Sequence, residues 1–220
     1  MKINTVIFDM DGLLIDSEPL WFEAATEIMQ NFGIVLSQEE YNTSTGLRTK
    51  EFLHYWFTYF QKDLTNLAEI EKNITELVIS KVITKGDAMS GVNHAIQFVQ
   101  SLGLKIGLAS SSPIKLINTV VEKINLKNIF SIITSAEHLP FGKPHPEVFL
   151  QCAEKLNSHP IECVCIEDSF NGMIAAKAGR MKCIIVPTPL QFDDNRWHAA
   201  DLKLNDLTQL NIQNFMTLNK

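Results

Sequence analysis

The chain has 220 residues, 45% of them hydrophobic and 20% charged, enough apolar surface for one large domain or a medium domain carrying a smaller one, and too much for a disordered regulator. Nineteen basic against 25 acidic side chains leave a formal net charge of −6, which argues against nucleic acid as a partner. No apolar run approaches a membrane span and the first one stops at Asp9, too short for a secretory signal, so a cytoplasmic protein without a membrane partner is expected.

The β-branched run 3–8 breaks off in Asp9-Met10-Asp11-Gly12, as a strand feeding a loop does. From about 18 to 85 no strand pattern appears. Apolar residues recur there at helical spacing, in the sets Leu20, Trp21, Ala24, Ala25, Ile28, then Phe52, Leu53, Trp56, Phe57, Phe60, then Leu67, Ile70, Ile74, Leu77, Val78. Gly33, Gly46 and Gln61-Lys62-Asp63 separate these sets. The stripe Phe52, Trp56, Phe60 reads as packing inside this segment.

Beyond Gly86 short apolar runs alternate with helical patterns: helix 92–102, strand 105–109, helix 113–123, strand 131–134, helix 146–156, strand 163–166, helix 171–178 and strand 182–186. Such alternation predicts an α/β fold, a doubly wound parallel sheet, Rossmann-like, with a small all-helical cap inserted after its first strand. The expected division is a core of residues 1–15 and 86–220 and a cap of residues 16–85. The four cysteines, Cys152, Cys163, Cys165 and Cys183, contain no C-x-x-C pair and are expected as buried reduced thiols, the last strands placing Cys163 and Cys165 on one face.

Ligands of such a sheet bind beyond the carboxyl ends of its strands. Those ends carry Asp9 and Asp11, then Ser110-Ser111-Ser112-Pro113, then Gly142-Lys143-Pro144, then Glu167-Asp168-Ser169. Ser110–Ser112 ahead of Pro113 suit a helix N-terminus, where free N–H groups favour an anion such as phosphate. Lys143 offers a compact positive charge to the same anion. Asp9 and Asp168, from different strands, suit a hard octahedral Mg²⁺. One aspartate can then attack phosphorus, while Asp11 acts as general acid and later as base.

The stretches Phe8-Asp9-Met10-Asp11-Gly12, Leu108-Ala109-Ser110-Ser111, Lys143-Pro144 and Ile166-Glu167-Asp168-Ser169 resemble the four motifs of the haloacid dehalogenase superfamily, in order and over essentially the whole chain. The inserted segment resembles the helical cap of its β-phosphoglucomutase-like branch. Residues 11–21 and Lys143-Pro144-His145-Pro146 resemble bacterial phosphatases of 2-deoxyglucose 6-phosphate and hexitol phosphates. The resemblance implies Asp9 as nucleophile and Asp11 as acid/base, with the Asp11 carbonyl, Asp9 and Asp168 on Mg²⁺. It implies Ser110 and Ser111 on phosphate and Lys143 bridging phosphate and nucleophile. Glu167 has two readings, reaching the metal through water or orienting its surroundings; Asn171 is open between that neighbourhood and a helix start.

Departures choose among branches. Dehalogenases lack the second aspartate. Phosphomutases use a cap histidine where this chain has Trp21, which cannot shuttle a proton, and phosphonatases need a lysine absent between Asp16 and Phe32. The expectation is a Mg²⁺-dependent phosphatase of a small phosphorylated sugar or sugar alcohol, monomeric. The alternatives are a hexose phosphomutase and a non-catalytic phosphometabolite-binding protein. Gly46-Leu47-Arg48-Thr49-Lys50 sits where relatives carry a specificity loop, and Arg48 is expected to contact sugar hydroxyls or a second anion. Trp21 reads either as a lid over the sugar or as cap core, His145 as a loop residue, and hinges are expected near 14–17 and 85–90.

Overall fold

The computed structural model describes residues 2–219. Five predicted strands are present: β1 (Thr5–Phe8), β2 (Lys105–Ser110), β3 (Ile132–Ser135), β4 (Cys163–Glu167) and β5 (Lys182–Ile185). A two-residue edge strand, β6 (Leu202–Lys203), joins them; it is too short to show any periodicity in the sequence. All neighbours run parallel, in the order β3-β2-β1-β4-β5-β6.

Register positions the site. Phe8 stands opposite both Leu108 and Ile166, so β1 ends at their level while β4 runs one residue further and β2 two. The next residue, Asp9, donates its N–H to the Ile166 carbonyl at 2.9 Å and continues the ladder by one step. Asp9 therefore emerges level with Ala109 and Glu167, with Ser110 one residue beyond them on β2.

Alternation along each strand divides the core. Val6, Phe8, Leu108, Val164 and Ile166 face one way and pack with α5 (Val92–Ser101) and α6 (Ile114–Lys123). Ile7, Ala109, Cys163, Cys165 and Ile185 face the other, against α7 (Glu147–Lys155) and α8 (Phe170–Ala178). All four cysteines are free and buried, and Cys163 and Cys165 do share a face. Each fully buried Phe or Ile here stabilises the sheet by about 1.5–3 kcal/mol.

The inserted segment contains α1 (Glu18–Met29), α2 (Gln38–Asn42), α3 (Thr49–Tyr59) and α4 (Leu67–Lys85). Pro19 stands in the first turn of α1, where its missing N–H costs nothing, and a Ser37/Glu40 capping box starts α2. Leu20, Ala24, Trp56, Phe57, Ile74 and Val78 form the interior of the cap, and its aromatic rings meet edge to face, Tyr41 at 5.2 Å from Phe22 and 5.6 Å from Phe52. Where the chain leaves and re-enters the sheet region, Asp16 N–H donates to the Asp87 carbonyl at 3.0 Å and Met89 N–H to that of Leu14 at 3.1 Å, so the two connections run side by side. Among the described residues no helix is long and apolar enough to cross a membrane.

Helix α6 begins one residue later than expected. Pro113 is its extended N-cap residue, and the Ile114 N–H is taken by the Glu137 carboxylate at 3.1 Å. The segment 110–112 is thus the end of β2 and a loop, not the first turn of a helix.

Candidate active site

The strand ends bring three carboxylates together. One oxygen each from Asp9, Glu167 and Asp168 lies within 4.8 Å of the others, and all three residues are buried. Lys143 enters from the loop before α7 and places Nζ 2.5 Å from Asp9 Oδ1 and 2.6 Å from Glu167 Oε1, with the Ala109 carbonyl at 3.3 Å and the Phe149 ring beneath it. The other Glu167 oxygen accepts the N–H groups of Asp168 and Ser169 and the Ser169 hydroxyl. Glu167 is thereby held from both ends. Glycine is required at two neighbouring positions: a Cβ on Gly172 would overlap the Glu167 carboxylate, and one on Gly12, at φ +73°, would overlap that of Asp168.

One ammonium among three carboxylates leaves negative charge uncompensated. At an effective dielectric near 20, two carboxylates this close repel by about 3 kcal/mol. Burial, then the charge of Glu167, raises the Asp9 carboxyl well above the ordinary range, although Lys143 pulls the other way. Asp168 is raised likewise, by burial first and then by Glu167 and Asp9. For Lys143 burial favours loss of the proton, but Asp9 and Glu167 outweigh it and hold the ammonium above its usual pKa. Excess charge on hard oxygen donors is what a small divalent cation relieves, so the residues fit Mg²⁺, with Asp9, Asp168 and Glu167 as the side chains able to hold it.

The Asp11 carboxylate is not part of that trio. Its Oδ1 accepts from Ser17 Oγ at 2.7 Å and Trp21 Nε1 at 3.0 Å; its Oδ2 accepts from Ser112 Oγ at 2.7 Å and Ser110 Oγ at 3.3 Å. Asp9, Asp11, Ser110, Ser111, Lys143 and Asp168 all line one cavity, with the cap residues Trp21, Tyr41 and Gly46 on its wall.

Ser112, read from the sequence as part of an anion-favouring helix N-terminus, holds Asp11. Three residues reached through the fold were not singled out from the sequence: Ser17, which also holds Asp11, and Glu18 and Tyr41, which complete the cavity wall. Among the described residues Glu18 Oε2 has no hydrogen-bond partner; burial, then the charges of Asp11 and Asp16, push this carboxyl up to about 8. The resemblance of residues 11–21 contained Ser17 and Glu18, but nothing in their spacing announced where they point. Trp21, open between lid and cap core, turns out to be a partly buried wall of the cavity whose indole N–H is tied to Asp11.

Other expectations need correction. Arg48 does not reach the cavity: its guanidinium donates to the carbonyls of Ala136, Leu139 and Pro140 and to Glu51, and its side chain is 8% exposed. The reason is that Arg48 sits at the N-cap of α3 and points into the loop before Lys143, whereas the neighbouring Gly46, Leu47 and Thr49 face the cavity. Asn171 lies in the first turn of α8 and donates to the cap's Thr45 carbonyl at 2.8 Å, away from the carboxylates. Ser111 Oγ likewise reaches the cap, at the Gly46 carbonyl, 2.9 Å away. Gly46 earns its flexibility twice, at φ +82° and through its close approach to Ser169. His145 is a half-exposed loop residue beside Glu147 and Phe141.

Known proteins resemble this chain over most of its length. Hexitol phosphatase B of Escherichia coli strain K12 is 40% identical over 216 residues, covering 98% of this chain and 97% of that protein. A phosphorylated carbohydrates phosphatase of Thermotoga maritima is 31% identical over 186 residues, 83% of this chain and 84% of its own length. A crystal structure of β-phosphoglucomutase from Clostridium difficile superposes with a TM-score of 0.88 at 24% identity, covering 99% of this chain and 97% of that one, which speaks to the fold alone. The profile of the family described as haloacid dehalogenase-like hydrolase matches residues 6–186, which take in all four strand-end motifs, and the chain belongs to that family.

Proposed function

We propose that this protein is a Mg²⁺-dependent phosphatase of small phosphorylated sugars or sugar alcohols, 2-deoxyglucose 6-phosphate being one candidate. The observation that carries the reading is the placement of two aspartates two residues apart, Asp9 against Lys143 and Asp11 among hydroxyl and indole donors, both lining one cavity. The names of the two phosphatase relatives support the substrate class.

In this reading Asp9 attacks phosphorus and forms an aspartyl phosphate. Lys143 neutralises phosphoryl oxygens while keeping Asp9 aligned, and Ser110 with the Ser111 N–H holds the phosphoryl group. Asp11 gives its proton to the leaving sugar oxygen and then takes one from the water that cleaves the acyl phosphate. Asp9, Asp168 and the Asp11 carbonyl, with Glu167 beside them, would hold Mg²⁺, which when bound would neutralise charge on the phosphoryl group that carboxylates alone would repel. Residues 16–85 act as a lid turning on the paired connections near 14–17 and 85–90, closing to exclude bulk water. Trp21 argues against the phosphomutase alternative, because an indole N–H can hold Asp11 but cannot accept its proton.

A monomer in the cytoplasm completes the proposal. Reduced, inaccessible thiols support that compartment: burial pushes Cys152 up to about 12 and Cys163 up to about 11, where neither is a ready nucleophile. The test is phosphate release from a panel of 2-deoxyglucose 6-phosphate, hexitol phosphates, fructose 1-phosphate and β-glucose 1-phosphate, with Mg²⁺, with chelator and with Asp9→Asn. Metal-dependent release abolished by the substitution is expected. Glucose 6-phosphate formed without free phosphate would point to the mutase, and tight binding without product to the binding protein.

A further inference from the structure

Arg48 and Glu51 belong to the cap, yet all the main-chain groups they grip outside it belong to one loop of the core. Arg48 Nη1 donates to the Ala136 carbonyl at 3.0 Å and the Leu139 carbonyl at 2.6 Å, and Nη2 to the Pro140 carbonyl at 3.2 Å and Glu51 Oε1 at 2.6 Å. The same Glu51 oxygen accepts the Gly142 N–H at 3.0 Å, and its partner oxygen accepts the Arg48 N–H at 3.3 Å. Gly142 immediately precedes Lys143. A Cβ on Gly142 would stand 2.7 Å from Glu51 Oε2 and 2.8 Å from Arg48 Nε, so the clasp closes directly on backbone there.

We infer that Arg48 and Glu51 are positioning residues that clasp the 136–142 loop when the cap closes and thereby set Lys143 on Asp9. Among the described residues the Lys143 ammonium makes its polar contacts with Asp9, Glu167 and Ala109, all in the core, so this loop is the hydrogen-bonded route from the cap to it. The guanidinium has three carbonyls and a carboxylate around it, which a planar five-donor fork satisfies and an ammonium does not. Burial works against the Glu51 charge, but Arg48 and the Gly142 N–H prevail and keep its carboxyl below the ordinary range, so the clasp stays ionised at neutral pH. Lid closure over a substrate and alignment of the lysine thus become one event. An open cap would leave the lysine loop unclasped.

This inference rests on the phosphatase reading for its chemistry, and the test separates the two. Steady-state kinetics of Arg48→Ala, Arg48→Lys and Glu51→Ala are measured on sugar phosphates and on p-nitrophenyl phosphate, which has no sugar to recognise. Misplacing a catalytic group by about 1 Å costs on the order of 100-fold. A fall of roughly 10- to 100-fold in kcat is therefore expected, equal for both substrate types, with KM changed less than about threefold and with part of the rate restored in Arg48→Lys. A rise in KM for sugar phosphates alone would overturn the clasp and make Arg48 a substrate contact. Unchanged kinetics would reduce it to packing. Circular dichroism checks folding, and Glu51→Ala, which removes a half-exposed side chain, carries the test if Arg48→Ala does not fold. Cleavage of p-nitrophenyl phosphate but no sugar phosphate by the unaltered protein would sink the substrate reading and leave the clasp testable. If neither is cleaved, Mg²⁺-dependent orthovanadate binding replaces turnover, and affinity equal to that of the unaltered protein in all three variants would sink the clasp.

Discussion

Two carboxylate clusters near the β4–β5 half of the sheet are built in opposite ways. Asp201 faces Lys177 at 2.5 Å and Lys182 at 3.1 Å and also accepts the Cys183 N–H at 2.8 Å. Partial burial tends to raise its carboxyl, but these three donors overrule it and hold it below the ordinary range. At the other cluster three carboxylates share Lys143, and the carboxyls of Asp9 and Asp168 rise. The first cluster is complete as folded and ties a loop to the sheet. The second has an excess of buried negative charge, which only a bound cation or a protonated carboxyl relieves, and that excess separates a working site from a structural one.

The largest effect expected from breaking this contrast is on turnover. Asp9→Asn removes the proposed nucleophile and should lower kcat on the order of 10⁴-fold or more, read as phosphate release. The same substitution removes one of the crowded charges, so the chelated protein should be no less stable in urea; a marked loss of stability would show that Asp9 is held by Lys143 more than it is repelled. Lys143→Ala should do the reverse for stability. It leaves Asp9 and Glu167 without their cation and should cost about 3–5 kcal/mol in metal-free urea titrations, less with Mg²⁺ present.

The two clusters also predict opposite pH trends. Raised carboxyl pKa values mean that the folded state binds more protons than the unfolded one, so in chelator the contribution of Asp9 and Asp168 to stability falls as pH rises from about 4 toward neutrality. For Asp201 the pKa is lowered, and its contribution is present above about 4 and lost as pH falls through its folded value. Thermal melts across pH 5–8 should therefore show stabilisation by Mg²⁺ that grows with pH. A metal effect that is flat in pH would contradict the charge-excess account.

Smaller effects sharpen the picture. Trp21→Phe removes one hydrogen bond to a charged acceptor and should lower kcat by roughly 10- to 150-fold at most with the metal requirement unchanged, a bond of this kind contributing about 1.5–3 kcal/mol. Trp21→His tests whether a proton-accepting ring there admits sugar phosphate isomerisation, followed by product analysis. Asp201→Asn should cost about 1 kcal/mol or less, since the group is partly solvated, and leave kcat unaltered; a change in turnover would mean that the two clusters communicate.

The linear chain carried five of the six sheet strands, the helical character of 18–85 and the four strand-end motifs, because parallel buried strands read as apolar runs and their ligands must lie just past them. It also carried Asp9, Asp11, Lys143 and Asp168 as candidates, since the proposed attack on phosphorus, acid/base step and metal would need such side chains, and the fold brings all four to one cavity. What it did not contain was direction. Arg48 and Thr49 are adjacent, yet the guanidinium grips core carbonyls while Thr49 lines the cavity, a difference set by where α3 begins against the 136–142 loop. Asn171 stands beside the acidic motif and turns to Thr45 because it opens α8 beneath the cap. Glu18, Tyr41, Ser17 and Ser112 meet Asp11 or its cavity only once cap and core are stacked. Periodicity and spacing report which face of its own element a residue occupies; contacts between elements far apart in the chain depend on how those elements dock, and docking is a property of the whole packed molecule.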